Sequence, residues 1–370
     1  MTRVFGEGSA PAYAAEAPGR CTLVGEHIDY ADGVVACAAV DLGVAVALRP
    51  SRDRRWRVSS AGRIVERQDV AMRGDVADRP LAAIDAARQR IGVSVPPLEI
   101  AIVATLPEAA GLASSAAVCC AAVVAALRLG GGRLAAGDVA DTALHAERDI
   151  VGVPCGPLDQ RAIVTAPASG VLLLDCRDLS ASACPWPVGV SLVACHTGAT
   201  HDVGGAGYRL RRVEADAALH NIGAGSWRDV TREDVASARL GEPLQRRARH
   251  IVTETARAIA AGAALQRGDA IELGELMSAS HASLRDDYDV STATLEAVVS
   301  AATGVRGCHG ARLVGAGFGG TAIALVDDGA AHECMRAMSN AVAGDADIRS
   351  HAWRLRPVAG LALHAGDVIT

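Results

Sequence analysis

The stretch Pro107–Leu127, PEAAGLASSAAVCCAAVVAAL, decides how the rest of the chain is read. A β-branched run, Leu98–Val103, enters a turn of small residues, and an alanine-rich, helix-forming run leaves it. Ser114 and Ser115 fall where that helix starts, and serine is favoured at helix N-caps. The first turn of a helix carries unpaired N–H groups and the positive end of the macrodipole. Small residues let those amides approach a ligand unobstructed, so strand, turn and helix together suit a phosphate group. No Gly-Lys-Ser/Thr follows, which excludes a Walker A loop. The same pattern also serves an ordinary strand-to-helix connection, and the segment by itself leaves both readings open.

Working outward, a length of 370 residues suits about two domains. Half of the residues are hydrophobic but only 3% are aromatic, so the cores must be built from Ala, Val and Leu. A net charge of −6 speaks against a nucleic-acid partner. All 36 basic residues are arginine, so any cation that neutralises a phosphate must be arginine, a metal or a helix end. The ten cysteines include no C-x-x-C pair, which removes the zinc and thioredoxin readings. Cys119 and Cys120 read as small core residues of the apolar helix. The N-terminal segment has no apolar stretch of the secretory kind, and the longest apolar run, Ala116–Leu127, is too short to span a bilayer. The expectation is a soluble, reduced, cytoplasmic protein with no membrane anchor and no obligate protein partner.

Taken in order, residues 1–19 are Gly/Pro/Ala-rich and read as a surface wrap before a short strand, Arg20–Val24. The turn that follows, Gly25–Gly33, places Glu26, His27, Asp29 and Tyr30 within five residues. Carboxylates accept paired hydrogen bonds from vicinal hydroxyls, so this turn suits a sugar, although a solvated hairpin has the same composition. Val34–Leu48 reads as one or two buried strands, and Trp56–Val58 with Ile64–Val65 as a hairpin. Helical spacing covers Leu81–Ile91 and Asp138–Arg148, the latter carrying Glu147. Pro157 suits the first turn of a helix that holds Asp159 near its positive end. After the strand Gly170–Asp175, Cys184-Pro185-Trp186-Pro187 breaks the pattern between Leu179 and Val188. That break divides the chain into expected domains at 1–182 and 183–370. Beyond it come a strand at Val190–Cys195, a flexible Gly204–Gly207, and helices opening at Tyr208, Leu244, Ile271 and Leu295. A glycine-rich turn, Gly315–Gly320, joins the strands Arg312–Val314 and Thr321–Val326.

Three segments, GRCTLVGEHIDYADG (19–33), PEAAGLASSAA (107–117) and GAGFGG (315–320), resemble the three motifs of the GHMP small-molecule kinases. The first is close to the galactokinase form, and GVPCGPLDQ (152–160), YRLRR (208–212), RARHIVTE (247–254) and SHASLRDDYDVS (280–291) extend the likeness in order along the chain. The resemblance implies an α+β two-domain GHMP kinase fold, with an N-terminal α/β (ribosomal S5 domain 2-like) domain and a C-terminal ferredoxin-like domain. It implies an ATP- and Mg2+-dependent kinase acting on the anomeric hydroxyl of galactose or a related sugar, such as N-acetylgalactosamine. A non-catalytic sugar sensor is the alternative of another class. Carried over by position, Asp159 is the catalytic aspartate and Arg20 its partner. Glu26, His27, Asp29, Gly156 and Tyr208 would bind the sugar, and Ser115 and Glu147 the metal. The loop Ala109, Ala110, Gly111, Leu112, Ala113, Ser114 and Ser115 would hold the nucleotide phosphates, with Gly317 and Gly319 closing the wall. Asp159 has two open roles, general base or orienting group with Arg20 stabilising the phosphoryl charge. A carboxylate substrate of the mevalonate or homoserine kind is disfavoured, because Glu26 and Asp29 would repel it. The chain departs from the family at Thr22 (usually Asn), Ala109 (usually Gly) and Ala113 (usually Ser), and it lacks the W-x-x-Y pattern ahead of the second motif. A Cβ at residue 109 is expected to crowd the phosphates or to forbid a left-handed backbone.

Overall fold

A computed structural model describes residues 1–6, 12–107, 110–198, 206–342, 352–361 and 368–369. In chain order these form α1 (Thr2–Phe5), β1 (Ala12–Val24), β2 (Val34–Pro50), β3 (Trp56–Ser60), β4 (Arg63–Arg67), α2 (Asp78–Ile91), β5 (Leu98–Ala104) and α3 (Ser114–Gly130). There follow α4 (Ala136–His145), a π-helical turn (Ala146–Ile150), α5 (Leu158–Thr165), β6 (Gly170–Asp175), β7 (Ala181–Pro185) and β8 (Val190–His196). The remainder is α6 (Ala206–Ile222), α7 (Arg232–Ser237), α8 (Leu244–Arg267), α9 (Ala270–Asp286), α10 (Ala293–Thr303), β9 (Cys308–Val314), β10 (Thr321–Asp327), α11 (Ala331–Val342), β11 (Ala352–Leu355) and β12 (Val368–Ile369).

Two sheets organise the chain. The larger runs β12-β1-β2-β5-β3-β4, with β6 and β7 continuing from the other half of β2; the smaller is antiparallel, in the order β11-β8-β10-β9. β2 is long enough to serve two neighbours, pairing β6 through Val34–Cys37 and β5 through Val44–Pro50. β1 follows β2 along nearly its whole length and shifts register at Pro18/Gly19. There a Cβ on Gly43 would lie 2.5 Å from the Ala17 carbonyl, so only glycine lets the strands close over the shift.

Helix α3 is apolar all round because it is buried all round. Its Ala, Val and Cys side chains pack against α2, α4, β1 and β2. Small side chains let a central helix lie this close to its neighbours, which is how so few aromatics suffice for the core. A second apolar cluster joins the smaller sheet to α6, α8, α9 and α10, and reaches Ile28, Ala31, Val35 and Cys37 of the N-terminal part.

Several expectations change. Residues 12–19 are not a surface wrap but the first half of β1, with Ala12, Ala15 and Ala17 buried. Alanine looks like loop composition in sequence, yet suits a strand packed closely against a helix. Val34–Leu48 is one strand, β2. The break at 179–188 contains β7, which pairs with β6 in the larger sheet and runs through the 182/183 division. Ser114 and Ser115 do not cap α3: Ala113 occupies the cap in a left-handed conformation (φ 59°), and no side chain bonds the first turn. The expected helix to Arg148 gives way at Ala146 to a π turn. Residue 204 and its neighbour Gly205 lie outside the described residues, and α6 opens at Ala206.

Helix α9 meets β9 backbone to backbone. A Cβ on Gly310 would stand 1.9 Å from the carbonyl oxygen of Gly274, so Gly310→Ala must push helix and strand apart. A destabilisation of about 3 kcal/mol is expected in thermal or urea unfolding. Gly329→Ala, where no atom lies within 4 Å of the added Cβ, serves as the control. Equal stability of the two variants would contradict the close contact.

Candidate active site

A cavity of about 350 Å³ opens between the turn after β1, the loop into α3, the start of α5 and the turn joining β9 and β10. Four carboxylates line it (Glu26, Asp29, Glu147 and Asp159) together with two guanidinium groups, Arg20 and Arg79. Each sequence motif supplies part of the wall: the turn after β1, the loop and first turn of α3, and Gly315-Ala316 between β9 and β10.

Arg20 and Asp159 are 139 residues apart in sequence and form the centre of the cavity. Arg20 Nε donates to Asp159 Oδ1 at 2.8 Å, and Nη2 donates to the same oxygen. Its Nη1 points to the Gly111 carbonyl (3.4 Å) and lies 3.9 Å from Glu26. Burial by itself would lower the Arg20 pKa, but the charges of Asp159 and Glu26 outweigh it and raise the group above its ordinary value. Asp159 stands in the first turn of α5, two residues after Pro157, where the helix end favours an anion.

The turn after β1 is held from the C-terminal part of the chain. The Gly25 amide donates to Glu254 of α8 at 2.8 Å, and the Gly315 amide donates to Glu26 at 2.7 Å. Burial raises the Glu26 pKa, opposed by Arg20, Arg312 and that amide. His27 takes a positive φ of 63°. Burial pushes its pKa down to about 3, so the ring is neutral. Its Nε2 lies 2.9 Å from the Ala316 carbonyl, which can only accept, so Nε2 carries the proton. Nδ1 then accepts from the Tyr30 hydroxyl (3.0 Å), and Tyr30 accepts from Tyr288 (2.9 Å). Both ring nitrogens are therefore engaged within the protein, and His27 lines the cavity while bracing the turn. Asp29 is pushed up to about 7 by burial, with the Asp159 charge adding and Arg20 opposing. Gly156 packs on Asp29, and a Cβ there would lie 2.3 Å from its Oδ2. Tyr208, at the start of α6, lines the same side of the cavity.

At the other side, Gly111 has φ 73° and a Cβ on it would meet the Val314 carbonyl at 2.7 Å. The loop therefore lies directly on the turn after β9. The left-handed positions are Gly111 and Ala113; Ala109 lies outside the described residues. The uncapped first turn of α3 leaves the Ala113–Ser115 amides available to an anion, which fits a nucleotide phosphate. Glu147 is brought in by the π turn, a geometry often found at functional sites. Burial raises its pKa, opposed by the Ser115 hydroxyl and Arg79. Gln160 Nε2 donates to Glu147 Oε2 at 2.8 Å. A hydroxyl beside one buried carboxylate is an oxygen donor set that fits Mg2+, which usually completes its shell with phosphates and water. No group of three or more His, Cys, Asp or Glu able to hold a metal occurs among the described residues.

The fold thus gathers Arg20, Glu26, His27, Asp29, Tyr208, Ala110, Gly111, Ala113, Ser114, Ser115, Glu147 and Asp159 around one cavity. Leu112 is buried behind it, where its carbonyl accepts the Arg20 amide at 3.0 Å. Gly317 and Gly319 lie off the lining, which Gly315 and Ala316 form instead. Gly317 serves a turn whose added Cβ would meet the Val290 carbonyl at 2.4 Å. Thr22 is fully buried, and its hydroxyl has no hydrogen-bond partner among the described residues. Sequence reading missed Arg79 and an apolar wall of Val76, Ile102 and Val118, with Ser60 beside it. No local motif marks these residues, because four separate segments assemble them.

Asp29 supplies a test by pH. Folded, it holds its proton up to about pH 7, whereas an unfolded aspartate releases it near pH 4. The folded state binds the extra proton between those values, so this contribution to stability is present below about pH 4 and is lost as pH rises to about 7. Asp29→Asn stays neutral and should melt above the wild type at about pH 8, with the lead vanishing near pH 4. A lead that grows on acidification would contradict the assignment.

The chain matches the GHMP kinases N terminal domain at residues 78–166, the GHMP kinases C terminal at 262–344 and the galactokinase galactose-binding signature at 2–50. It is 38% identical over 336 residues to a galactokinase of Roseiflexus sp. (strain RS-1), covering 86% of this chain and 85% of that one. A galactokinase of Chloroflexus aggregans is 37% identical, covering 90% of this chain and 88% of that one. The crystal structure of Lactococcus lactis galactokinase complexed with galactose superposes with a TM-score of 0.88 at 27% identity, covering 98% of this chain and 97% of that one. A likeness of this extent, in both sequence and fold, means that the chain belongs to the galactokinase family of GHMP kinases.

Proposed function

We propose that this protein transfers the γ-phosphoryl group of ATP to the C1 hydroxyl of galactose or a closely related sugar, releasing ADP and the sugar 1-phosphate. The observation that carries the reading is the partly buried Arg20–Asp159 pair, placed between the hydroxyl-binding turn and the uncapped end of α3. The two hydrogen bonds from Arg20 to Asp159 both fall on Oδ1. Oδ2 receives no hydrogen bond from the described residues, which leaves it to accept the one from the sugar O1–H. That bond aims O1 at phosphorus. Phosphoryl transfer passes through a loose transition state, so positioning and charge stabilisation dominate. The O1–P bond forms as the bond from phosphorus to its bridging oxygen breaks, and the O1 proton passes to Oδ2 as O1–P formation completes. Arg20 orients Asp159 and faces the charge that develops on the phosphoryl oxygens.

Glu26, Asp29 and Tyr208 bind the sugar hydroxyls, Gly156 leaves room for Asp29, and His27 fixes the turn. The amides of the Gly111–Ser115 loop hold the phosphates. Ser115 and Glu147 would hold Mg2+, which when bound neutralises phosphate oxygens. The apolar wall of Val76, Ile102 and Val118 suits the adenine. We place the division of labour at 1–182 and 183–370, with β7 lying across it. The ten cysteines are free thiols, which supports a reducing, cytoplasmic setting, and no described helix is long and apolar enough to cross a membrane.

ADP release from Mg-ATP with a panel of hexoses tests this reading. Galactose, or a sugar of its configuration, should support turnover, and Asp159→Ala should lower kcat by about 10³ while sugar binding persists. Binding without turnover on any sugar would point to a sensor.

A further inference from the structure

Resting on the sugar-kinase reading above, we propose that Tyr30 and Tyr288 are positioning residues for the sugar: a one-way hydrogen-bond relay, from Tyr288 to Tyr30 to His27 to the Ala316 carbonyl, fixes His27 in a single tautomer and sets the turn after β1 and Tyr208 in place. The chain has four tyrosines in 370 residues, and three of them meet around His27. The His27 ring lies 4.9 Å from Tyr288 and 5.5 Å from Tyr208, and Tyr30 meets Tyr208 edge-on at 5.7 Å. Packing alone would be served by phenylalanine. Tyrosine adds a hydroxyl, which is costly to withdraw from water unless it is bonded. Neither Tyr30 nor Tyr288 lines the cavity, so both act through His27, which does.

The bonds run in one direction. The Ala316 carbonyl can only accept, so the proton of His27 is on Nε2, 2.9 Å away. Nδ1 must then accept, and the Tyr30 hydroxyl donates to it at 3.0 Å. Tyr30 is left to accept from Tyr288 at 2.9 Å. Burial raises the pKa of both phenols, so both keep their protons. The source of the relay is firmly held: Tyr288 is fully buried, and its carbonyl accepts from Arg211 Nε at 2.6 Å. Its ring packs at 4.4 Å on His250, whose Nε2 donates to the Glu26 carbonyl at 3.1 Å. His27 takes a left-handed φ of 63°, which a non-glycine residue keeps only where its surroundings enforce it. Without the Tyr30 hydroxyl, the imidazole proton is free to sit on either nitrogen. A proton on Nδ1 forfeits the Ala316 bond, and the turn that carries Glu26 and Asp29 loosens beside Tyr208.

The test compares the full-length wild type, Tyr30→Phe, Tyr288→Phe and the double variant in steady-state kinetics with galactose and Mg-ATP. Tyr30→Phe should raise the KM for galactose roughly 10-fold, with kcat and the KM for ATP within about twofold of wild type. Tyr288→Phe should raise it roughly 3-fold, because Tyr30 still donates to His27. The double variant should be no weaker than Tyr30→Phe, since the Tyr288 hydroxyl acts through Tyr30. Nitrogen NMR of labelled histidine adds a direct readout, with His27 identified by the loss of its signals in His27→Gln. Wild type should show a proton on Nε2 and none on Nδ1, and Tyr30→Phe a mixture of the two tautomers. An unchanged galactose KM in Tyr30→Phe overturns the proposal. So does a double variant whose effect is the product of the single ones, or a wild-type His27 protonated on Nδ1. A parallel rise in both KM values marks a structural role and overturns it too. A wild type that neither binds nor phosphorylates galactose instead overturns the reading on which this assignment rests, and the assignment with it.

Discussion

Glu26 is the constraint on which the site depends. It is a buried carboxylate from the turn after β1, yet its Oε1 accepts the amide of Gly315, which belongs to the turn between β9 and β10. Arg20 and Arg312 approach the same oxygen at 3.9 and 4.0 Å. Arg312 is wholly buried and donates to the carbonyls of Leu23 and Leu313, one on each side of the junction. It also lies 3.8 Å from Glu254, the residue that receives the Gly25 amide. A buried charge left without its partner costs about 3–5 kcal/mol, so neither sheet can shift without exposing that penalty. The two halves of the chain are thereby registered to each other at the point where the cavity opens.

From that anchor the rest of the site follows by close approach. Gly111 and Gly315 are in near backbone contact, which brings the loop into α3 against the turn between β9 and β10 without an intervening side chain. Arg20 links both, because it projects from β1 beside the Leu112 carbonyl and reaches Asp159 at the start of α5. The loop into α3 and the Glu26–Tyr30 turn are thus linked through one ion pair. The π turn then sets Glu147 beside Ser115, and Gln160, one residue after Asp159, holds the carboxylate from behind. Asp159 and Glu147 are in this way positioned by neighbouring residues of one helix.

Much of this was legible in the sequence where chemistry is local. The Glu26–Tyr30 turn, the small-residue loop into α3 and the Asp159 helix start each announce themselves by composition and spacing. Their order along the chain carries the family resemblance. The misreadings came where a residue's meaning depends on what it packs against. Ala12, Ala15 and Ala17 resemble loop alanines until β2 and α3 cover them. Ser114 looks like a cap until Ala113 takes the left-handed position itself.

The sequence by itself therefore determined which groups are present and which loops carry them: carboxylates in a tight polar turn, a glycine- and alanine-rich approach to a helix end, and no lysine. Helix and strand periodicity and turn chemistry act over a few residues, so they can be read without a partner. Only the tertiary structure decided which charges are neutralised and which remain available. The Arg20–Asp159 pair spans 139 positions and the Glu26–Gly315 bond 289. Arg79, Val76, Ile102 and Val118 become one wall only when three elements and a loop meet. Burial and charge pairing are properties of that meeting, and no segment carries them alone.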